Sequence, residues 1–179
     1  MKKTISTVGL IALTVLSTSL AWMPLTHYEV STGYSIDFKS KDPSGSFKTM
    51  DGTVEFDDAN IEATQFNLKI DVKSISTGNG MMNKKSQIEE WFNAEKFPFA
   101  KFKSTKVTKK GDDLSIVGDL TIKGITKQYT IPATYVKNGD KVTFKGTFNV
   151  NRIEFKVGHK SDVVPDLMKV TFQVPVSKK

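Results

Sequence analysis

From about residue 28 onward, apolar and polar side chains alternate along the chain with a period of two. The clearest run is Phe66, Leu68, Ile70 and Val72, interleaved with Asn67, Lys69, Asp71 and Lys73. That spacing sends one set to each face of an extended strand. The alternation recurs at Tyr34, Ile36 and Phe38, at Val54 and Phe56 after a turn at Gly52, and at Ala100, Phe102 and Ser104. It continues at Leu114, Ile116, Leu120 and Ile122, with Gly118 between them, then at Tyr129, Ile131, Ala133 and Tyr135. Val142, Phe144, Gly146, Phe148 and Val150 form a further run, and Val170, Phe172, Val174 and Val176 the last. Asn138-Gly139 predicts a type I′ hairpin, because both residues tolerate positive φ. Lys110-Gly111-Asp112 reads as a similar turn, and Gly124 separates two more strands. Short links make neighbouring strands antiparallel, and about eight such strands can close a barrel just wide enough for one ligand. The predicted fold class is all-β, an antiparallel barrel.

One segment departs from this period. Residues 83–96 predict a short helix, in which Ile88, Trp91 and Phe92 form a single apolar stripe that could cap one barrel end. Phe97-Pro98 ends it, since a residue before proline avoids the helical region. Residues 156–169, with Gly158, Pro165 and scattered charges, read as a long loop before the last strand.

The first 21 residues have a different character. Lys2 and Lys3 precede an apolar run from Ile5 to Leu16, and Ser19-Leu20-Ala21 offers small residues where a signal peptidase reads them. The expectation is an export signal cleaved near Ala21, followed by one domain over residues 22–179. The alternative is an uncleaved anchor, because Trp22, Met23 and Leu25 prolong the apolar stretch. The clean run is shorter than the roughly 20 residues a membrane span needs. The chain has no Cys, so it has neither disulfides nor a lipid-attachment thiol.

The net charge is +7, and +5 without Lys2 and Lys3. That balance could favour transient contact with an anionic membrane surface. It argues against nucleic acid, because the basic residues are spread out and Arg152 is the only arginine. His27 and His159 have no second ligand at metal spacing, so no metal site is expected. His159, Ser161 and Asp162 are triad residue types, but they crowd into one loop without a nucleophile elbow. Glu89 and Glu90 face different directions on a helix and make no acid/base pair. No catalytic residue is assigned, and no cofactor is expected.

Four stretches, taken in order, resemble the YceI-like family of exported lipid-binding proteins. They are Lys73 to Gly78, Trp91 to Thr105, Gly118 to Lys127, and Asn151 to Phe155. The resemblance implies a lipocalin-like barrel, usually periplasmic, that binds polyisoprenoid or related long-chain lipids. This sequence departs from the family where many members carry His-Ser in the first strand; here it reads Tyr34-Ser35. It also has Asn83-Lys84-Lys85-Ser86-Gln87 in place of an Arg-Asp-x-His run.

By pattern alone the inward faces could form a filled core, which would make the protein a non-catalytic interaction module. The resemblance favours a cavity holding an isoprenoid lipid or quinone. Candidate lining residues are Phe66, Leu68, Phe102, Leu120 and Ile122, with Phe144, Phe148 and Phe172. Gly118, Ala133 and Gly146 would leave room for a chain. Trp91 and Phe92 could gate the cavity or simply dock their segment. Arg152 could grip a head group, or pair with Glu154 or Asp162. Ser74 and Thr77 could bond a ligand or satisfy a turn. The expected assembly is a monomer or homodimer.

Overall fold

The structure is a computed structural model that describes residues 25–179. The predicted export signal lies outside the described residues.

The strands are β1 (Thr26–Val30), β2 (Ser35–Lys39), β3 (Ser44–Phe47), β4 (Met50–Phe56), β5 (Gln65–Asp71) and β6 (Ile75–Ser76), followed by β7 (Phe99–Lys110), β8 (Asp113–Ile122), β9 (Ile125–Asn138), β10 (Lys141–Asn151) and β11 (Leu167–Lys178). They form an antiparallel barrel in the order β1-β4-β5-β7-β8-β9-β10-β11, closed by β11 pairing back to β1. β2, β3 and β6 continue β1, β4 and β5 around the same wall beyond a bend, so the barrel has about eight strand positions, as the period-two runs predict.

The bends lie side by side and are stitched by side chains. Tyr34 Oη donates to Lys48 O at 3.1 Å and accepts from Met50 N–H at 3.1 Å. Ser74 Oγ accepts from Thr49 N–H at 3.0 Å and donates to Asp71 O at 2.6 Å. On the β11 side, Pro175 O accepts from Ser31 N–H at 2.9 Å. Thr77 Oγ1 donates to Asn83 Oδ1 at 2.8 Å. Ser74 and Thr77 therefore satisfy local backbone and side-chain partners.

Two sequence expectations are corrected. The helix α1 spans Gly80–Gln87, not 83–96, and Asn79 caps it by accepting from Met81 and Met82 N–H. Ile88 ends it, and residues beyond turn tightly through Asn93, whose φ is +49°. Ile88 is 50% exposed, so Ile88, Trp91 and Phe92 do not share a helical stripe. The i, i+3, i+4 spacing was fulfilled by successive turns that bury Trp91 and Phe92 partially. The second correction concerns hairpins. The β9–β10 loop is Gly139-Asp140, with positive φ at Gly139 and not at Asn138, so it has the type II′ signature. The type I′ signature falls instead on Lys123 and Gly124, with φ of +50° and +74°.

The core divides along the barrel. Toward the β7–β8 hairpin end, Tyr28, Phe56, Phe66, Tyr135 and Phe144 form an aromatic cluster, with Phe66 and Phe144 centroids 4.9 Å apart and Phe56 and Phe144 5.6 Å apart, both edge-on. Each such pair adds about 0.5–1.5 kcal/mol beyond its burial. At the other end Leu120, Val150, Phe155 and Val157 make a second cluster, against which Trp91, Phe92 and Tyr129 pack.

Candidate ligand-binding site

Between the two clusters lies a cavity of about 100 Å³ whose walls present only apolar atoms. Period-two strands put it there: Phe66 and Leu68 on β5, Phe102 on β7 and Leu120 on β8 all point inward. Phe144 and Phe148 on β10 and Phe172 on β11 complete the predicted part of the wall. Sequence reasoning did not select Ile36, Met50, Ile70, Ile116, Ile131 and Val174, which line the same space. Most of these shared the inward parity of residues that were selected; the signal was present and was applied too sparingly.

Three predicted positions lie elsewhere because they belong to the second cluster. Ile122, Trp91 and Phe92 pack around Leu120 and Phe155 and do not border the cavity. Phe92 sits edge-on to Phe47, with centroids 6.0 Å apart. The Trp91 ring lies on Gly158, where an added β-carbon would come within 2.9 Å of it.

Arg152 is 5% exposed and each of its three guanidinium nitrogens already donates to a backbone carbonyl. Nε donates to Pro165 O at 3.0 Å, Nη1 to Val157 O at 2.9 Å and Nη2 to Val164 O at 2.7 Å. Its carboxylate neighbour is Asp166 at 3.6 Å, not Glu154 or Asp162. The guanidinium also lies 5.7 Å from the Trp91 ring. Arg152 is thus spent on holding the 156–166 loop across the barrel end, and it offers no free fork to a head group.

The glycines do not leave vacant space in the way their sequence positions suggest. A β-carbon on Gly118 would lie 2.6 Å from the Phe102 ring, and one on Gly146 would lie 2.6 Å from the Phe172 ring. Each phenyl ring lies against the wall, in the volume another residue's β-carbon would fill. Both rings therefore rest along the inner wall, where they line the cavity. Ala133 is buried beside the aromatic cluster.

The titratable groups near the site are few. Lys123 Nζ donates to Lys156 O at 2.7 Å and Glu90 O at 3.2 Å, and burial holds its pKa below the usual lysine value. Burial pushes the Tyr129 phenol up; its Oη lies 3.5 Å from Glu154. His159, Ser161 and Asp162 are exposed, and Ser161 Oγ accepts from Val163 N–H. Among the described residues, no group of three His, Cys, Asp or Glu could hold a metal ion.

The YceI-like domain matches residues 25–176, which takes in every strand of the barrel. The chain belongs to the YceI-like family. Protein YceI of Escherichia coli is 34% identical over 138 residues, covering 74% of this chain and 71% of that protein. Protein YceI of Salmonella arizonae is 42% identical over 96 residues, covering 54% of this chain and 50% of its own length. Among solved structures, BcnA of Burkholderia cenocepacia superposes with a TM-score of 0.76 at 30% identity, covering 79% of this chain and 95% of BcnA. A polyisoprenoid binding domain from Saccharophagus degradans, implicated in plant cell wall breakdown, superposes with a TM-score of 0.69. It covers 87% of this chain and 99% of that domain at 12% identity, a likeness of fold.

Proposed function

We propose that this protein is an exported, non-catalytic carrier that shelters the tail of a long-chain isoprenoid or similar amphiphile inside the barrel. The carrying observation is the all-carbon cavity at mid-barrel. The polyisoprenoid-binding fold neighbour supports the ligand class, and the leader-like first residues support export to a periplasm or beyond. The mechanism is desolvation. Burying about ten methylenes at about 0.8 kcal/mol each gives about 8 kcal/mol before the costs of binding. Roughly micromolar affinity is thus the ceiling for ten methylenes without any strong polar contact, and longer tails are needed to offset the binding costs.

The resting cavity, at about 100 Å³, is small for a long tail. A tail therefore enters only as the partly exposed Phe102, Phe148 and Phe172 rings swing aside. This small volume also favours a second reading, a barrel that stays filled and serves as an interaction module. One experiment separates the two. Protein purified from an exporting host is extracted with organic solvent and the extract is analysed by mass spectrometry. The carrier reading predicts near-stoichiometric long-chain lipid. Repeated recovery of empty protein that takes up no added farnesol would support the filled barrel.

A further inference from the structure

The ladder between β9 and β10 is incomplete. It runs from Lys141–Asn138 to Gly146–Ala133 and stops, although β9 continues back to Ile125 and β10 on to Asn151. Pro132 explains the stop. Its carbonyl oxygen lies directly against the place a Gly146 β-carbon would take, so this residue's polar edge faces β10. Proline has no N–H to donate there, and the ladder loses a rung. Below that point the strands part. There Tyr129 of β9 stacks on the buried Phe155, with centroids 5.9 Å apart.

At the apex of the fork the outer surface holds a groove of about 680 Å³. Thr134, Lys145, Thr147, Thr171 and Gln173 bring hydroxyl, ammonium and amide groups to a wall that is otherwise mostly carbon. Among the described residues, Phe172 alone borders both this groove and the inner cavity. Its ring rests on Gly146, in the space that a side chain there would take. Gly146 pairs with Phe172 on one side and with Ala133 on the other, so the parting of β9 and β10 begins just beyond the rung on which the Phe172 ring rests.

We propose that the amphiphile's tail enters the barrel sideways at the parting of β9 and β10, with Phe172 as the gate and the polar groups of the outer groove as the seat of the head group. This rests on the carrier reading and adds its route. The two barrel ends are poor alternatives. One is packed with the aromatic cluster, and the other is tied by Arg152 and Lys123 to backbone carbonyls. The fork asks for less: a ring turns off a glycine and one weak edge widens. The groove's hydroxyl, ammonium and amide groups then hold an oxygen-bearing head outside while the tail is desolvated within.

The test uses the fluorescent fatty acid dansylundecanoic acid and stopped-flow mixing. Thr134 and Lys145 are register partners one rung above the apex, and the chain has no cysteine of its own. Thr134→Cys with Lys145→Cys can therefore be compared with itself, oxidised and reduced; opposed residues of this kind lie within disulfide reach. Oxidation is expected to slow uptake about tenfold, while Phe172→Ala speeds uptake and release by about the same factor and changes affinity far less. Phe92→Ala, at the barrel end, is expected to leave the rates unchanged. Probe binding with rates indifferent to oxidation, or a large acceleration by Phe92→Ala alone, would overturn the lateral route while leaving the carrier intact. A wild-type protein that takes up no probe would overturn the carrier reading and the route with it.

Discussion

Arg152 shows how far a residue's chemistry depends on who reaches it first. An arginine at a barrel mouth is a natural grip for phosphate or carboxylate. Here three backbone carbonyls, of Pro165, Val157 and Val164, arrive from the same loop and occupy its fork. Nothing in the linear sequence reveals that the loop folds back in this way. Replacing Arg152 with Ala strands those carbonyls and removes the partner of Trp91. We expect a loss of about 3 kcal/mol or more in urea unfolding, with Arg152→Lys recovering little because a point ammonium cannot satisfy the fork. A head-group role would show the opposite signature, unchanged stability and weakened ligand binding. Gly118 and Gly146 teach the related lesson: a small inward residue marks space, but Phe102 and Phe172 already rest in it.

At the scale of elements, the strands were legible and their bends were not. Period-two alternation located β5, β8, β9, β10 and β11 because each has a buried face and a solvent face along most of its length. The bends between β1 and β2, β3 and β4, and β5 and β6 rest on contacts between residues distant in sequence. Ser74 bonds the backbone of Thr49, and Tyr34 that of Lys48 and Met50. The alternation carries no record of those pairings. Ser74→Ala leaves the Thr49 N–H without its partner, and we expect it to cost about 1 kcal/mol in urea unfolding, with Ser74→Thr restoring most of it. The misplaced helix has a similar cause. Trp91 and Phe92 are drawn to the second cluster and to Gly158, and tertiary packing selects turns where local spacing also allowed a helix. Pro132 was visible in the sequence, but its effect on the β9–β10 ladder depends on which neighbour its edge faces.

At the scale of the whole molecule, a closed barrel must place its inward side chains somewhere. This one gathers them at two ends and thins them at the middle. The residues lining that middle were largely readable from inward parity. Whether they would touch one another or enclose space was not readable, since that depends on ring orientation and not on residue type. The most direct measurement is photo-crosslinking with a long-chain alcohol that carries a diazirine at the tail end, followed by peptide mass spectrometry. The account predicts adducts on inward-facing positions at mid-barrel, among them Leu68, Ile131 and Phe148, and their loss when excess farnesol is present. Adducts confined to outward-facing residues, on protein that remains folded, would contradict it.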